Sequence, residues 1–429
     1  MIDTIVKLLE QSGVYGWEIN QERSEGWEFY FIRHELDQNR AKRVEHIKIT
    51  VYQQIEDGKF VGSASAELAP TASEAEAKKL VEDLAYRATL VKNRPYTLTP
   101  CSEAHREKKA PVAVDLKAIA RDFIETVRAL PETAGEDINS YEIFVSSKTL
   151  RFLNSEGIDV VESYPSSMLE IVVNARRDGH EIELYRNYVS GTCDAEGLKK
   201  DLQRTMQYGR DRLIAQPTPQ LGTADVLFSG SDATNIYLYF VSRLSAQMIA
   251  RRMSDCELGK PIAEEVKGDR LTLRSVRELA NSSKNRGFDP DGAPIRDCVL
   301  LQDNVPVQLI GNRMFSCYLG LEDCFMPQNL LAEGGTHSEE ELRRGKYLEV
   351  VEFSDFQVDA MTGDIFGEIR LGYWHDGEHV TPVSGGSLSG SMHDFVKDMH
   401  MSRELVQYNN YRIPAVTVLK NVTVTGIDA

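Results

Sequence analysis

Nine histidines and six cysteines, set among 66 carboxylates, are the side chains from which a reactive centre could be built. His34-Glu35 opens like the HExxxH pattern of a zinc-binding helix, but Asn39 stands where the second imidazole belongs, and the flanking residues alternate like a strand. His375 and His379 flank Asp376-Gly377, a hairpin-turn signal, so no helix face stacks them for a metal. His393 and His400 sit near two turns apart on a short helix expected around Ser391–Met399. Their reading is a solvent-facing structural role. Asp289, Asp291 and Gly292 have the opening spacing of a calcium loop but lack its later ligands and its bidentate Glu, which leaves a turn. The Gly385–Gly390 stretch GGSLSG resembles a nucleophile elbow in composition only and reads as a tight loop. Neither G-x-G-x-x-G after a strand nor G-x-x-x-x-G-K-[ST] occurs, so no nucleotide fingerprint is present. Residue types and spacing therefore give no convincing metal or nucleophile site, and no cofactor is expected.

The elements that would have to position any site can be read from periodicity and caps. Residues 4–12 form a short helix, 16–36 and 44–68 alternate in the strand manner, and Asp57-Gly58, between two such runs, reads as a hairpin turn. Ser73 with Glu76 is a capping box for a helix running to about Leu90. A polar, Pro-containing linker spans Asn93–Pro111. Asp115 then caps a third helix, and strands follow at Tyr141–Val145, Thr149–Leu153, Met168–Ala175 and, after Asp178-Gly179, Glu181–Tyr188. Asp194 caps the next helix. The order helix, strands, Asp-Gly hairpin, strand, helix thus occurs twice, over 1–92 and 113–216, as a structural repeat. QPTPQLG at 216–222 reads as a boundary. Beyond it come a strand at Asp225–Phe228, a long helix over Ala233–Met253, and strands at Cys298–Leu301, Val305–Ile310, Tyr347–Phe356, Gly367–Trp374, Val380–Val383 and Val416–Val424. The expected fold is α+β in two domains. Residues 1–216 carry the duplicated helix–sheet–helix units, and 223–429 form an antiparallel, β-rich domain. Residues 236–241 are apolar or aromatic on every side, which favours burial against a large sheet and a dimer interface.

Composition removes several function classes. At 429 residues with 41% hydrophobic and 27% charged, the chain can bury a core across two or three domains. A net charge of −17 gives no counterion-release term towards nucleic acid. The densest basic stretch, Arg106–Lys109, is broken by an acid in the linker. No apolar run reaches the roughly 18–20 residues that span a bilayer, and the N-terminus lacks the regions of a signal peptide. The cysteines (Cys101, Cys193, Cys256, Cys298, Cys317, Cys324) are scattered singly, as buried thiols in a reducing cytoplasm would be. Neither nucleic acid nor membrane is expected as a partner.

Several segments together resemble a known family. They are SSKTLRFLNSEGIDVVESYPSSMLEIVVNARRDG at 146–179, GFDPDGAPIRDCVLLQDNVPVQLI at 287–310, GDIFGEIRLGYWHDGEHVTPVSGGSLSG at 363–390 and VLKNVTVTG at 418–426. They are similar to the TldD/PmbA family, also called peptidase family U62 or "modulator of DNA gyrase" proteins. The resemblance implies a cytoplasmic, dimeric, two-domain α+β protein related to metallopeptidases and proteolysis. Its TldD branch is a zinc peptidase for unfolded peptides, with HExxxH on the helix after the strand that matches Asp225–Phe228 and a further cysteine near the C-terminus. Here that window is Leu238–Arg243, LYFVSR, so Leu238, Tyr239 and Arg243 stand at degenerate positions of the zinc helix. No histidine lies between 181 and 336, and the last cysteine is Cys324. The resemblance is thus to the PmbA, TldE-like branch, which lacks the metal motif and pairs with an HExxxH-bearing relative. It implies a non-zinc partner subunit with no catalytic or metal residues of its own. Two alternatives stay open: a peptidase or other hydrolase with a different site, and a homodimeric protein that binds peptides by adding them to a sheet edge.

Overall fold

A computed structural model describes residues 1–106, 114–321 and 324–427. The linker beyond Arg106, with the remainder of the Arg106–Lys109 basic stretch, lies outside the described residues.

The N-terminal half is one long-stranded antiparallel sheet. Helix α1 (Ile2–Gln11) precedes β1 (Gly16–Ile32), β2 (Glu35–Ile55) and β3 (Phe60–Leu68), and α2 (Glu74–Ala88) follows. The same order returns as α3 (Leu116–Arg128), β4 (Glu136–Asn154), β5 (Asp159–Arg177), β6 (His180–Ser190) and α4 (Ala195–Ile214). The two units join through β1 and β4, giving the order β3-β2-β1-β4-β5-β6. Local chemistry explains most ends. Ser73 and Glu76 close the capping box of α2, while Asp115 and Asp194 accept amide hydrogens at the starts of α3 and α4. Asp178 and Gly179, both at positive φ, form the two-residue turn between β5 and β6.

Each unit buries its helices on the sheet. Ile5 and Leu9 of α1 and Val81 and Leu84 of α2 meet Ile19, Ile47 and Ile49. Phe123 and Val127 of α3 and Leu202 and Met206 of α4 meet Ile143, Ile171 and Val173. Complete burial of such a side chain contributes about 1.5–3 kcal/mol. Phe31 stacks on its cross-strand partner Tyr141 with ring centroids 4.3 Å apart.

Two further sheets make up the remainder. One has the order β11-β10-β9-β12-β19-β18, formed by β9 (Leu273–Val276), β10 (Cys298–Gln302), β11 (Val305–Pro306), β12 (Asn329–Ala332), β18 (Leu405–Tyr408) and β19 (Tyr411–Pro414). The other has the order β13-β8-β20-β16-β14-β15-β7. Its strands are β7 (Gln216–Pro217), β8 (Gly222–Phe228), β13 (Tyr347–Val358), β14 (Asp364–His375), β15 (Val380–Ser384), β16 (Ser387–Ser391) and β20 (Thr417–Thr425), with β17 (Met399–Met401) paired to β20. Strand β13 bonds both β8 and β14, so β13, β8, β20, β16 and β14 close into a ring. Pairings are mostly antiparallel, as the α+β expectation requires; β13–β8, β12–β19 and β15–β7 are parallel.

Several sequence expectations are corrected. Tyr141–Val145 and Thr149–Leu153 belong to one strand, β4, because partners on both sides hold it extended through Ser146–Lys148. His34 lies in the β1–β2 turn, not in a strand; Arg33 at φ 53° reverses the chain. The helix expected over Ala233–Met253 is α5 (Thr234–Arg243) and a separate short helix at Ala246–Ala250. It breaks because Ile310 donates its amide to Leu244 O and accepts the Ala246 amide, at 3.1 and 2.7 Å. The helix expected at Ser391–Met399 ends at Phe395, and His400 is on β17. Of the strand expected over Val305–Ile310, only Val305–Pro306 forms.

The two halves meet at buried carboxylates. Strand alternation turns Glu18 away from the face that carries Ile19. Tyr52 donates to it at 2.7 Å. Burial, reinforced by the charges of Asp291 and Asp289, pushes Glu18 up to about 8. Burial and the neighbouring Asp291 push Asp289 up to about 7, against three amides that favour its charged form. The folded chain therefore holds protons that the unfolded chain releases from about pH 4.5. Stability from these groups is fully present below about pH 4, under the ordinary carboxyl values, and is lost as pH rises from there towards 8. Urea unfolding at pH 5 and pH 8 should show this decline. Glu18→Gln should reduce it by roughly 1–3 kcal/mol; an equal decline in wild type and variant would refute the assignment.

Candidate functional site

The centre of the C-terminal half is α5. Ile236, Tyr237, Tyr239, Phe240 and Val241 are all buried in the core that also holds Phe228, Leu348, Val350, Phe356 and Leu419. The chain itself thus covers the all-round apolar helix. Tyr237 shares a hydrogen bond of 2.6 Å with Thr417 Oγ1 on β20, which satisfies its buried hydroxyl.

Leu238 is the half-buried member of this run, and it separates two hollows. The first, about 530 Å³, is lined by Asn235, Leu238, Tyr239 and Ser242 of α5 and by Phe356–Ala360, Asp364 and Phe366 around the β13–β14 turn. The second, about 370 Å³, lies between Leu238, Val241, Ser245 and the segments at 310–312, 326–328 and 410–411, with Lys284 on its wall. Asn235 Nδ2 donates to Phe356 O at 3.3 Å and fixes α5 to the end of β13. Asp359 shapes the turn by accepting the Met361 and Thr362 amides at 2.8 and 2.7 Å, and those amides hold its carboxyl below the usual range.

Tyr239 and Arg243 are structural neighbours. The Arg243 guanidinium lies 5.6 Å from the centre of the Tyr239 ring and pairs with Asp255. Burial pushes the Tyr239 hydroxyl up, opposed by Arg243. On its other side Tyr239 meets His393 edge-on, with centroids 6.4 Å apart. Leu238 offers no donor atom, Tyr239 is a poor zinc ligand, and the Arg243 guanidinium repels a cation. This donor set does not fit zinc, and no step can be derived through the metal here.

The remaining sequence candidates are dispersed. His34 Nε2 faces Glu132 at 3.1 Å at the rim of the N-terminal sheet. His375 stacks on Tyr347 at 4.0 Å, while His379 is exposed beyond the turn. Asp289 and Asp291 form a turn, as expected: Asp289 accepts the amides of Asp291, Ala293 and Met326, each at 2.9 Å. His105 Nδ1 faces Ser102 Oγ at 2.8 Å but also accepts the Ser102 amide at 2.9 Å, so this pair caps a short helix and does not make a nucleophile. One cluster escaped sequence reading: Asp269, His337 and His400 converge. Their separation along the chain leaves no local signal.

Residues 221–426 match the PmbA/TldA metallopeptidase C-terminal domain. That segment of the chain carries the C-terminal domain of the PmbA/TldD family. No curated protein matches the chain. Solved structures resemble the chain over nearly its whole length. TldE from Thermococcus kodakarensis has a TM-score of 0.80 at 16% identity, covering 99% of this chain and 100% of its own. A protein from Thermotoga maritima MSB8 described as a modulator of a DNA gyrase has 0.79 at 15%, covering 99% of each chain. A protein from Bacteroides thetaiotaomicron VPI-5482, described likewise, has 0.78 at 16%, covering 99% of this chain and 98% of its own. At these identities the likeness is one of fold.

Gly363, at φ 75°, packs against the Tyr239 side chain: a Cβ there would lie 3.1 Å from Tyr239 Oη and 3.2 Å from the His393 ring. Gly363→Ala should therefore lower stability by about 1–2 kcal/mol in urea unfolding, the strain of positive φ adding to the contact. In a Tyr239→Phe background part of that loss should return. An equal loss in both backgrounds would show that the hydroxyl contact plays no part.

Proposed function

We propose that this chain is a TldE-like, non-zinc subunit that joins an HExxxH-bearing relative to form a peptidase acting on unfolded peptides in the cytoplasm. The observation that carries the reading is the helix after β8. At the positions where the zinc helix of the family falls, this chain has Leu238, Tyr239 and Arg243, committed to apolar packing and to an ion pair with Asp255. The TldE likeness supports the same branch. No helix among the described residues is long and apolar enough to cross a membrane, and no disulfide joins the six cysteines, which is compatible with that compartment.

Under this reading the chain contributes walls. The two hollows beside Leu238 combine apolar side chains with the backbone of the β13–β14 turn and of 310–312. Such a surface can hold an extended peptide without selecting strongly among side chains. Hydrolysis then belongs to the partner, whose zinc would activate water. A homodimer that only binds peptide uses the same surface and differs in its partner.

Co-expression with an HExxxH-bearing relative should give a stable complex by sedimentation. Cleavage of an unfolded substrate should need both chains and should vanish when the relative's Glu is replaced. A clean 48.3 kDa monomer, unchanged by the relative, would remove the subunit reading. Cleavage by this chain alone would favour a hydrolase with another site.

A further inference from the structure

Asp269, His337 and His400 come from three separate segments, yet each offers a ligand atom within 4.8 Å of the other two. Backbone bonds hold the segments together. The Asp269 amide donates to Met399 O at 2.8 Å, Gly335 N to Ser402 O at 3.1 Å, and Arg403 N to His337 O at 2.7 Å. Gly335 is bare for a steric reason: a Cβ there would strike Asp269 Oδ2 and Met401 O. The carboxylate is itself oriented, because Thr336 Oγ1 donates to Oδ1 at 3.0 Å and Met401 N to Oδ2 at 2.8 Å.

Hydrogen bonding also sets the imidazole tautomers. The single proton of the Thr336 hydroxyl goes to Asp269, so at 3.1 Å from His337 Nδ1 that oxygen accepts. His337 therefore carries its proton on Nδ1 and keeps a lone pair on Nε2. Asp398 Oδ1 lies 3.1 Å from His400 Nε2 and can only accept while ionised, which leaves the Nδ1 lone pair of His400 available. A carboxylate or hydroxyl on the far nitrogen is the arrangement that orients metal-bound histidines. The rings stand 5.9 Å apart at 81°, so their edges converge from different directions.

We propose that Asp269, His337 and His400 bind one divalent late transition-metal ion, with zinc the reference case. Two imidazole nitrogens and one carboxylate oxygen suit zinc, cobalt or nickel and disfavour magnesium and calcium, which prefer all-oxygen sites. Zinc bonds of roughly 2.0–2.2 Å place tetrahedral ligands about 3.3 Å apart. Small side-chain rotations bridge the difference, and His337, being exposed, is free to make them. Three protein ligands leave a fourth position for water. The site differs from the α5 window: Met399 and Met401 point into the core that holds α5, whereas His400, between them on β17, faces outward.

The test uses the full chain, stripped with chelator and titrated with Co2+ by absorbance and Zn2+ by calorimetry. One ion per chain is expected, with a rise in Tm on adding Zn2+. His337→Gln and His400→Gln should each weaken binding at least about 10-fold and abolish the Tm rise, and Asp398→Asn should weaken it about 10-fold through the second histidine. His337 is exposed, so its variant reports binding independently of folding. Absence of stoichiometric uptake, or uptake unchanged in the His337→Gln/His400→Gln double variant, would overturn the proposal.

Discussion

The buried carboxylate of Asp289 is the constraint on which the arrangement of the two halves rests. A carboxylate with no exit to water must be satisfied in place, and three backbone amides do this. Two come from its own turn and the third, from Met326, ties in a distant loop. Asp291 beside it accepts the Arg313 amide at 2.7 Å. The same turn is wedged against the N-terminal sheet. Gly292 abuts Phe152 so closely that a side chain would collide, and Glu162 of β5 accepts the Gly287 amide at 2.8 Å. His105 stacks on Phe288 and contacts Gly292 O at 2.8 Å. One short turn thus ties the segments around 311–313 and at Met326 to the sheet, and these segments build one wall of the hollow beside Leu238.

A second clamp holds the opposite side. Arg186 of β6 pairs with Glu352 of β13 at 3.0 Å, and Tyr373 of β14 donates to Asp211 of α4 at 2.6 Å. Both partners in the C-terminal half lie on strands of the closed ring. The ring therefore cannot shift against the N-terminal half without breaking these part-buried polar contacts. The position of α5, seated in that core, follows from the same restraint.

What was legible in the sequence was local. Ser73, Asp115 and Asp194 satisfy amides within three residues of themselves, and Asp178-Gly179 needs only its own positive φ, so a short window contains the whole cause. The repeated order of helix, strands and helix followed from those signals. What was not legible depended on partners far along the chain. Ser146–Lys148 look like a break in hydrophobic alternation, but strands on both sides keep them extended. The apolar run through α5 continues past Leu244, yet Ile310 diverts the backbone there. The degenerate window at Leu238–Arg243 could be read as lacking donor atoms, but not that Leu238 would divide two hollows.

The same limit explains why the histidines were misplaced. The spacing of seven positions from His393 to His400 suggests one helical face, and it is compatible with a helix until β20 is considered. Pairing with β20 pulls Met399–Met401 into a strand, buries the two methionines and turns His400 out between them. Alternation then does what helical periodicity could not: it separates an apolar face, packed into the core around α5, from an outward face where an imidazole meets Asp269 and His337. The C-terminal half is thus poor in donor atoms where its family resemblance directs attention and rich in them on the other side of a three-residue strand.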